Sequence, residues 1–499
     1  MINFLIIIFG LIIRIYLILE RNIFTDEVFY IEVAIRNSIK DIIFINHWIK
    51  DHGILYYLFL KPFLFFTKTI EILRFSNIFL YILISIFIIY TFNKIFRKKY
   101  LTTAFLFLYS FNHYFIYLNS WISPFNLVSF FAVVSIFSLI YFILKNNLDK
   151  EFYFYYFLFI VSTILAFYSD YSFFYLAIFY FLILIYILFK LIIKKGGIKK
   201  SYLILNSYLI ILIFIIPGIF QFINNFERII YLFRNIKYET SGFFSFLNHL
   251  LQIIFFRKDN YFSLIFFLIL IFLNILLNLK NKIANRFLYV NNLVLFSLIG
   301  TIFLLFFTNK FFLTLMIERS FWPFYLFVII LSAFTIYFLS ESKFKLIKIL
   351  GALLSIFFVF GLFTETNTSF IPSSIKEEIN YKKLINSQKN TGIIVLIDEL
   401  YFYYPISNYY FNPIFQNKFK NKSIKIYNIR SKNIEHINDE IKKILEMNQF
   451  EKNISIIFFN CCVSYKNYLY LNLNNNYPNK NIRIYDLFSQ EKNLVTIFK

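Results

Sequence analysis

Long apolar runs alternate along the chain with short polar interruptions. Residues 2–19 are almost entirely Ile, Leu and Phe, and comparable runs recur at 72–92, 101–118, 125–144, 152–168, 171–193, 202–223, 261–279, 288–307, 321–340 and 346–364. A helix needs roughly 20 apolar residues to cross a bilayer, with a range of about 17–25, so the pattern predicts a mainly α, polytopic membrane protein of about eleven transmembrane helices. Two shorter runs, 54–66 with Lys61-Pro62 and 243–257 with His249, read as interfacial or re-entrant helices. The first run is long and has no small-residue cleavage site, which predicts a retained signal anchor.

The polar interruptions alternate in character. With the N-terminus inside, Lys94/Arg97/Lys98/Lys99, Lys145/Lys150, Lys190/Lys194/Lys195/Lys199/Lys200, Lys280/Lys282/Arg286 and Lys343/Lys345/Lys348 all fall in inner loops. Every second loop is then basic, as the positive-inside rule asks. Counting 54–66 as a span would reverse that parity. The remaining polar residues gather on the outer side: the loop 20–71, the hairpin Asn119–Pro124, the turn Ser169-Asp170-Tyr171, and the stretch Glu318–Pro323.

After residue 364 the composition shifts toward Asn and Lys. Gly392–Asp398 and Ile454–Asn460 read as buried strands, Leu494–Phe498 as a short third, and Ile434–Met447 as an amphipathic helix. The expected organisation is therefore a membrane domain over 1–364 and a small α/β domain over 365–499, placed outside by parity.

Composition agrees and narrows the choices. The chain is 60% hydrophobic, which excludes an ordinary soluble globule. Its 74 Phe and 39 Tyr accompany abundant Ile, Asn and Lys, all with AT-rich codons, and so reflect nucleotide bias before function. The net charge of +23 lies in loops between spans rather than on one soluble face, which argues against nucleic acid as a partner. Cys461 and Cys462 are adjacent, lack metal-ligand spacing and read as free thiols.

Against this background Asp26-Glu27 stands out. The pair follows directly on the first span, where a carboxylate is costly unless used. A carboxylate there can serve as general base to an acceptor hydroxyl. A lipid-phosphate-linked sugar fits a reaction at this surface, with its tail among the spans and its phosphate near a cation such as Arg319. Arg14, inside the first span, is expected to pair with Glu20 or Glu27.

The motif-bearing residues resemble the GT-C superfamily of membrane glycosyltransferases, in its protein O-mannosyltransferase and aminoarabinose transferase branch, and in particular its bacterial members similar to dolichyl-phosphate-mannose-protein mannosyltransferases. The Asp-Glu pair and a following aromatic are matched by Asp26, Glu27 and Tyr30. A His-Pro-Pro-Leu-Tyr-Tyr stretch is matched by His52-Gly53-Ile54-Leu55-Tyr56-Tyr57, an Arg before the next span by Arg74, and a late Arg-aromatic-Pro pattern by Arg319–Pro323. The sequence differs at Gly53-Ile54, at Asn119, Ser120 and Ile122, and at Asp170, where family members often carry His. The resemblance implies an inverting transferase that moves a sugar from a polyprenyl-phosphate donor to a glycan, lipid or protein acceptor on the outer face of a bacterial inner membrane. Asp26 and Glu27 would be catalytic; Tyr30, His52, Tyr56, Arg74, Asp170 and Arg319 would bind donor or acceptor.

Each assignment has a structural alternative. Asp26 sits where helices start, Asp170 in a turn that favours Asp, Arg74 within reach of Glu71, and Arg319 where interfacial anchors lie. No cofactor is assigned, and a divalent ion shared by Glu27 and a His stays open. A lipid-linked-sugar flippase and a non-catalytic envelope scaffold are the rival readings.

Overall fold

In the computed structural model the described residues are 2–20, 25–36, 38–44, 53–67, 69–145, 147–193, 198–233, 243, 246–247, 267–275, 285–307, 322–341, 345, 348–349 and 351–353, with the four strands given below. The chain divides into two compact units. One comprises Met1–Leu19, Val33–Phe66 and Leu73–Thr368; the other comprises Glu20–Glu32, Thr67–Ile72 and Ser369–Lys499.

In chain order, α1 (Ile2–Glu20) is followed by α2 (Thr25–Arg36), α3 (Ile39–Phe44), α4 (Ile54–Phe66), α5 (Ile70–Leu73) and α6 (Phe75–Phe96). Glu20, α2 up to Glu32 and α5 up to Ile72 belong to the second unit, and the remaining helices to the first. α4 has only 13 residues and contains Pro62, in keeping with a segment that does not cross the membrane by itself. Arg97 closes α6 in the left-handed conformation at φ 52°, its N–H reaching the Asn93 carbonyl at 3.0 Å. That reversal lets the next helix begin at Lys99.

The run expected as one span at 101–118 is two helices, α7 (Lys99–Phe111) and α8 (His113–Asn119). Asn112 separates them with extended dihedrals, and its side chain accepts a hydrogen bond from the Phe115 amide at 3.2 Å. An Asn at such a position offers a free amide a partner and so makes the break cheap.

α9 (Pro124–Leu144) starts with Ser123 accepting from the Phe125 amide at 3.1 Å and Pro124 in the first helical position. α10 (Lys150–Ser169) is capped by Asp149, which accepts from the Phe152 amide at 2.9 Å. α11 (Phe174–Ile193), α12 (Ile198–Phe233), α13 (Asn285–Phe307) and α14 (Trp322–Ser340) complete the long helices. Among the described residues eight helices are long and apolar enough to span a membrane: α1, α6 and α9–α14. α9 and α14 are the most enclosed, while α1 is largely open on one side. The expected spans at 261–279 and 346–364 are described only in part, as helix at 267–275 and at 348–349 and 351–353.

Polar pairs hold these helices together, since apolar faces gain little from one another in lipid. Asn274 and Asn291 exchange side-chain hydrogen bonds of 3.1 and 2.7 Å, and Asn274 also donates to Thr335 of α14 at 3.2 Å. Ser135 on α9 meets Tyr180 on α11 at 2.7 Å.

The second unit carries β1 (Gly392–Ile397), β2 (Ser423–Asn428), β3 (Asn453–Phe459) and β4 (Asn481–Asp486). They form one sheet in the order β2-β1-β3-β4 with every pairing parallel; Gly392 aligns with Ser423 and Ile454, and Asn453 with Asn481. Parallel neighbours require crossover connections, which helices usually supply in an α/β arrangement. β1 and β3 match the two strands expected from sequence, whereas β2 and β4 were not foreseen. The expected helix at 434–447 and strand at 494–498 lie outside the described residues.

Candidate functional site

The acidic pair lies at the start of α2, with Asp26 in its first turn. Only the backbone of Asp26 is described. Glu27 and Tyr30 are fully enclosed, as are Val28, Ile31 and Ala34. Glu27, Tyr30, Ile31 and Ala34 follow at spacings of three and four, so Glu27 shares the buried stripe of an otherwise apolar helix face. A carboxylate is seldom placed there without a specific purpose.

Arg74, expected to meet a phosphate, lies just before α6 and is completely buried. Its Nη1 donates to the Ile18 carbonyl at 3.1 Å, within the last turn of α1. That carbonyl is one of the four a helix leaves unmatched at its C-terminus, and a cation there also opposes the negative end of the dipole. Arg74 thus fixes the place where the chain leaves α1 on its way to Asp26.

Gly53 sits against α10. A Cβ at this position would run into the Tyr168 carbonyl and the Ser169 backbone, so only glycine permits the approach. Gly53, just before α4, is thereby seated beside the turn holding Asp170. Tyr56, on α4, is completely buried, with its ring 6.3 Å from that of Tyr57 and 6.5 Å from that of Phe59. Asp170 is nearly enclosed, and its carboxylate accepts from the Ser172 amide at 2.7 Å. Ser172 Oγ in turn accepts from Trp322 Nε1 at 2.8 Å, and the Trp322 ring stacks on Phe173. Asp170 therefore performs the turn-forming role open to it, in a turn tied to the start of α14. His52, His47 and Arg319 lie outside the described residues. Among the described residues no group of three or more His, Cys, Asp or Glu could hold a metal ion.

A second polar centre was not foreseen. Arg14 does not pair with Glu20 or Glu27. Its Nε donates to Asn119 Oδ1 at 2.8 Å and its Nη1 to the carbonyls of Gly10 at 3.0 Å and Ser110 at 2.7 Å. Nη2 reaches the Tyr109 carbonyl at 3.4 Å, and the guanidinium carbon stands 3.9 Å above the Tyr81 ring. Carbonyls 109 and 110 are among those left open where α7 stops, so the cation faces the negative end of that helix. The Tyr81 face supplies a further favourable contact. Gly10, one turn earlier on α1, lacks the Cβ that would strike the Tyr81 hydroxyl. From Asn119 the network continues: its Nδ2 donates to Asn126 Oδ1 at 2.8 Å, Asn126 donates to the Leu118 and Trp121 carbonyls at 2.7 and 3.1 Å, and Asn77 donates to the Trp121 carbonyl at 2.7 Å. The sequence signal for this centre was Asn112, Asn119 and Asn126 recurring within apolar runs, but the partners are mostly backbone and leave no pattern.

Spans of this number and apolarity, joined by buried polar hubs, define a multi-pass membrane protein. No family model matches the chain, and no curated protein sequence matches it. Among solved structures it is similar to the archaeal oligosaccharyltransferase AglB from Archaeoglobus fulgidus, in complex with an inhibitory peptide and a dolichol-phosphate, at 12% identity and a TM-score of 0.42. The match covers 79% of this chain and 62% of that one, so the chain spans less than two thirds of that protein's length.

Proposed function

We propose that this chain is an inverting membrane glycosyltransferase of the GT-C type, which moves a sugar from a polyprenyl-phosphate donor to an acceptor hydroxyl. The observation that carries the reading is the acidic pair on α2, with Glu27 buried, directly after an α1 exit held by Arg74. Asp26 accepts the proton of the acceptor hydroxyl. The acceptor oxygen bonds to the anomeric carbon as the bond from that carbon to the phosphate oxygen breaks, which inverts the centre. Glu27 supports Asp26, Tyr30, His52 and Tyr56 line the sugar, and Arg319 receives the departing phosphate charge. Positive charge develops on the ring carbon and oxygen, so the placement of carboxylates near it supplies much of the rate. Arg74 is assigned to hold the α1 exit and Asp170 to shape the adjoining turn.

The same reading places the site and the domain at 365–499 outside a bacterial inner membrane, with the N-terminus inside, from the basic loops. The acceptor is a glycan, a lipid or a protein. The flippase reading draws on the broken helix at Asn112, since transporters use such breaks for substrate and ions. Here the carbonyls at the break are taken by Arg14, which favours the enzyme.

Mass spectrometry of surface glycans tests the proposal in cells with the intact gene, without it, and with Asp26→Asn. One sugar missing from both altered strains is expected. A sugar lost only in the deletion would overturn Asp26 as base and advance the flippase or scaffold.

A further inference from the structure

We propose that Arg14 is the positioning residue of the turn 119–123, a built-in cation standing where a discontinuous membrane helix would otherwise need an ion. A half-helix that ends inside a membrane leaves carbonyls without partners, and in lipid each is costly. Two remedies exist: a bound cation or a protein group. Arg14 is the second. It is completely buried, and its described partners are three carbonyls, one amide oxygen and one aromatic face, with no carboxylate among them. Its charge is therefore matched by helix-end dipoles and polarised amides rather than by a counter-ion.

The geometry also transmits. Two donors grip the end of α7, while Nε alone reaches past the break to Asn119, the last residue of α8. Asn119 hands the constraint to Asn126 on α9, and Asn126 and Asn77 together hold the Trp121 carbonyl. One guanidinium thus sets both halves of the broken helix and the turn behind them. Ser120 and Trp121, which that turn contains, are almost wholly enclosed. Under the glycosyl-transfer reading the hairpin Asn119–Pro124 is one of the outer loops, and Arg14 sets that loop from within the bilayer; that last step rests on the proposed function.

Cysteine labelling tests the inference without needing the substrate. In full-length protein purified in detergent, with Cys461 and Cys462 changed to Ser, Ser120→Cys reports the turn through its rate of reaction with N-ethylmaleimide. Tyr100→Cys, at an exposed site, serves as the control. Arg14→Met is expected to raise labelling at 120 by about tenfold or more, and Arg14→Lys to restore part of the protection through its ammonium donors. Asn119→Leu keeps the carbonyl contacts of Arg14 and cuts only the relay, so it should open position 120 as well. It decides the matter if Arg14→Met does not fold. Wild-type rates in Arg14→Met or in Asn119→Leu would overturn the proposal. If labelling rises as expected while Asp26→Asn leaves every surface glycan intact, the positioning role stands and the transferase reading falls.

Discussion

Gly53 lies so close to the carbonyl of Tyr168 that no side-chain atom fits between them. The obstacle is backbone at the end of α10, which cannot rotate aside as a side chain could. The contact joins Gly53, just before α4, to the turn of Asp170, two parts of the chain that the sequence marks independently.

Gly53→Ala should therefore force α4 away from α10. Overpacking of this kind costs typically 1–3 kcal/mol. Thermal unfolding of the purified protein in detergent is expected to show a lower midpoint. An unchanged midpoint would mean that α4 and α10 separate freely.

The paired amides Asn274 and Asn291 carry a second expectation. Asn291→Leu leaves the buried Asn274 with fewer partners, at a cost of about 1–3 kcal/mol. The double substitution Asn274→Leu, Asn291→Leu should recover part of that loss. A double-mutant cycle read by denaturant unfolding in detergent is expected to give a coupling of roughly 0.6–1.7 kcal/mol.

Between α9 and α10, Lys145 Nζ and Asp149 Oδ2 stand 2.9 Å apart. The Lys145 ammonium, and then the Phe152 amide, hold the Asp149 carboxyl below the usual carboxylate range. Asp149, and then Tyr141, hold Lys145 above the usual lysine range. For the depressed carboxylate, the stabilising contribution is complete above an ordinary Asp value of about 3.9 and is lost as pH falls through its lower folded value. For the raised lysine it is complete below about 10.4 and is lost as pH rises through the higher folded value. Asp149→Asn keeps the cap and removes the charge. Its midpoint should fall slightly below wild type near neutral pH and rejoin it at strongly acid pH. The difference should also shrink in high salt, because both groups are partly exposed.

The helices were legible because their apolar runs match the thickness of a bilayer. What sequence could not reveal was where a run is interrupted without changing polarity. Residues 101–118 carry a single strong hint, Asn112, and an Asn within a span reads equally well as helix glue. In the sheet, the central strands β1 and β3 are mostly apolar, with only Ser455 breaking the run from Ile454 to Phe459. The edge strands β2 and β4 interleave Ile with Lys425 and Arg483, which protects an edge but hides it among polar loops. The acidic pair was conspicuous because it abuts a span. The purpose of Arg14 was hidden, since its partners are carbonyls 95 and 96 residues away, and carbonyls have no letter in a sequence.

The distance between Arg14 and those carbonyls has a consequence for biosynthesis. α1 enters the bilayer before residues 109 and 110 have been made. Until they arrive its guanidinium has only the Gly10 carbonyl of its own helix and then the Tyr81 ring, and a charge inside a span costs about 2.5–3.5 kcal/mol on an insertion scale. Each surrounding Leu, Ile or Phe favours insertion by only about 0.3–0.6 kcal/mol, so the helix enters on the strength of its many neighbours rather than of any one. The nascent first helix is thus a waiting partner, seated fully only when α7 follows it into the membrane. A ribosome stalled before Ser110 would leave α1 loosely held and open to extraction, and assembly would proceed in the order in which the ribosome delivers the two helices.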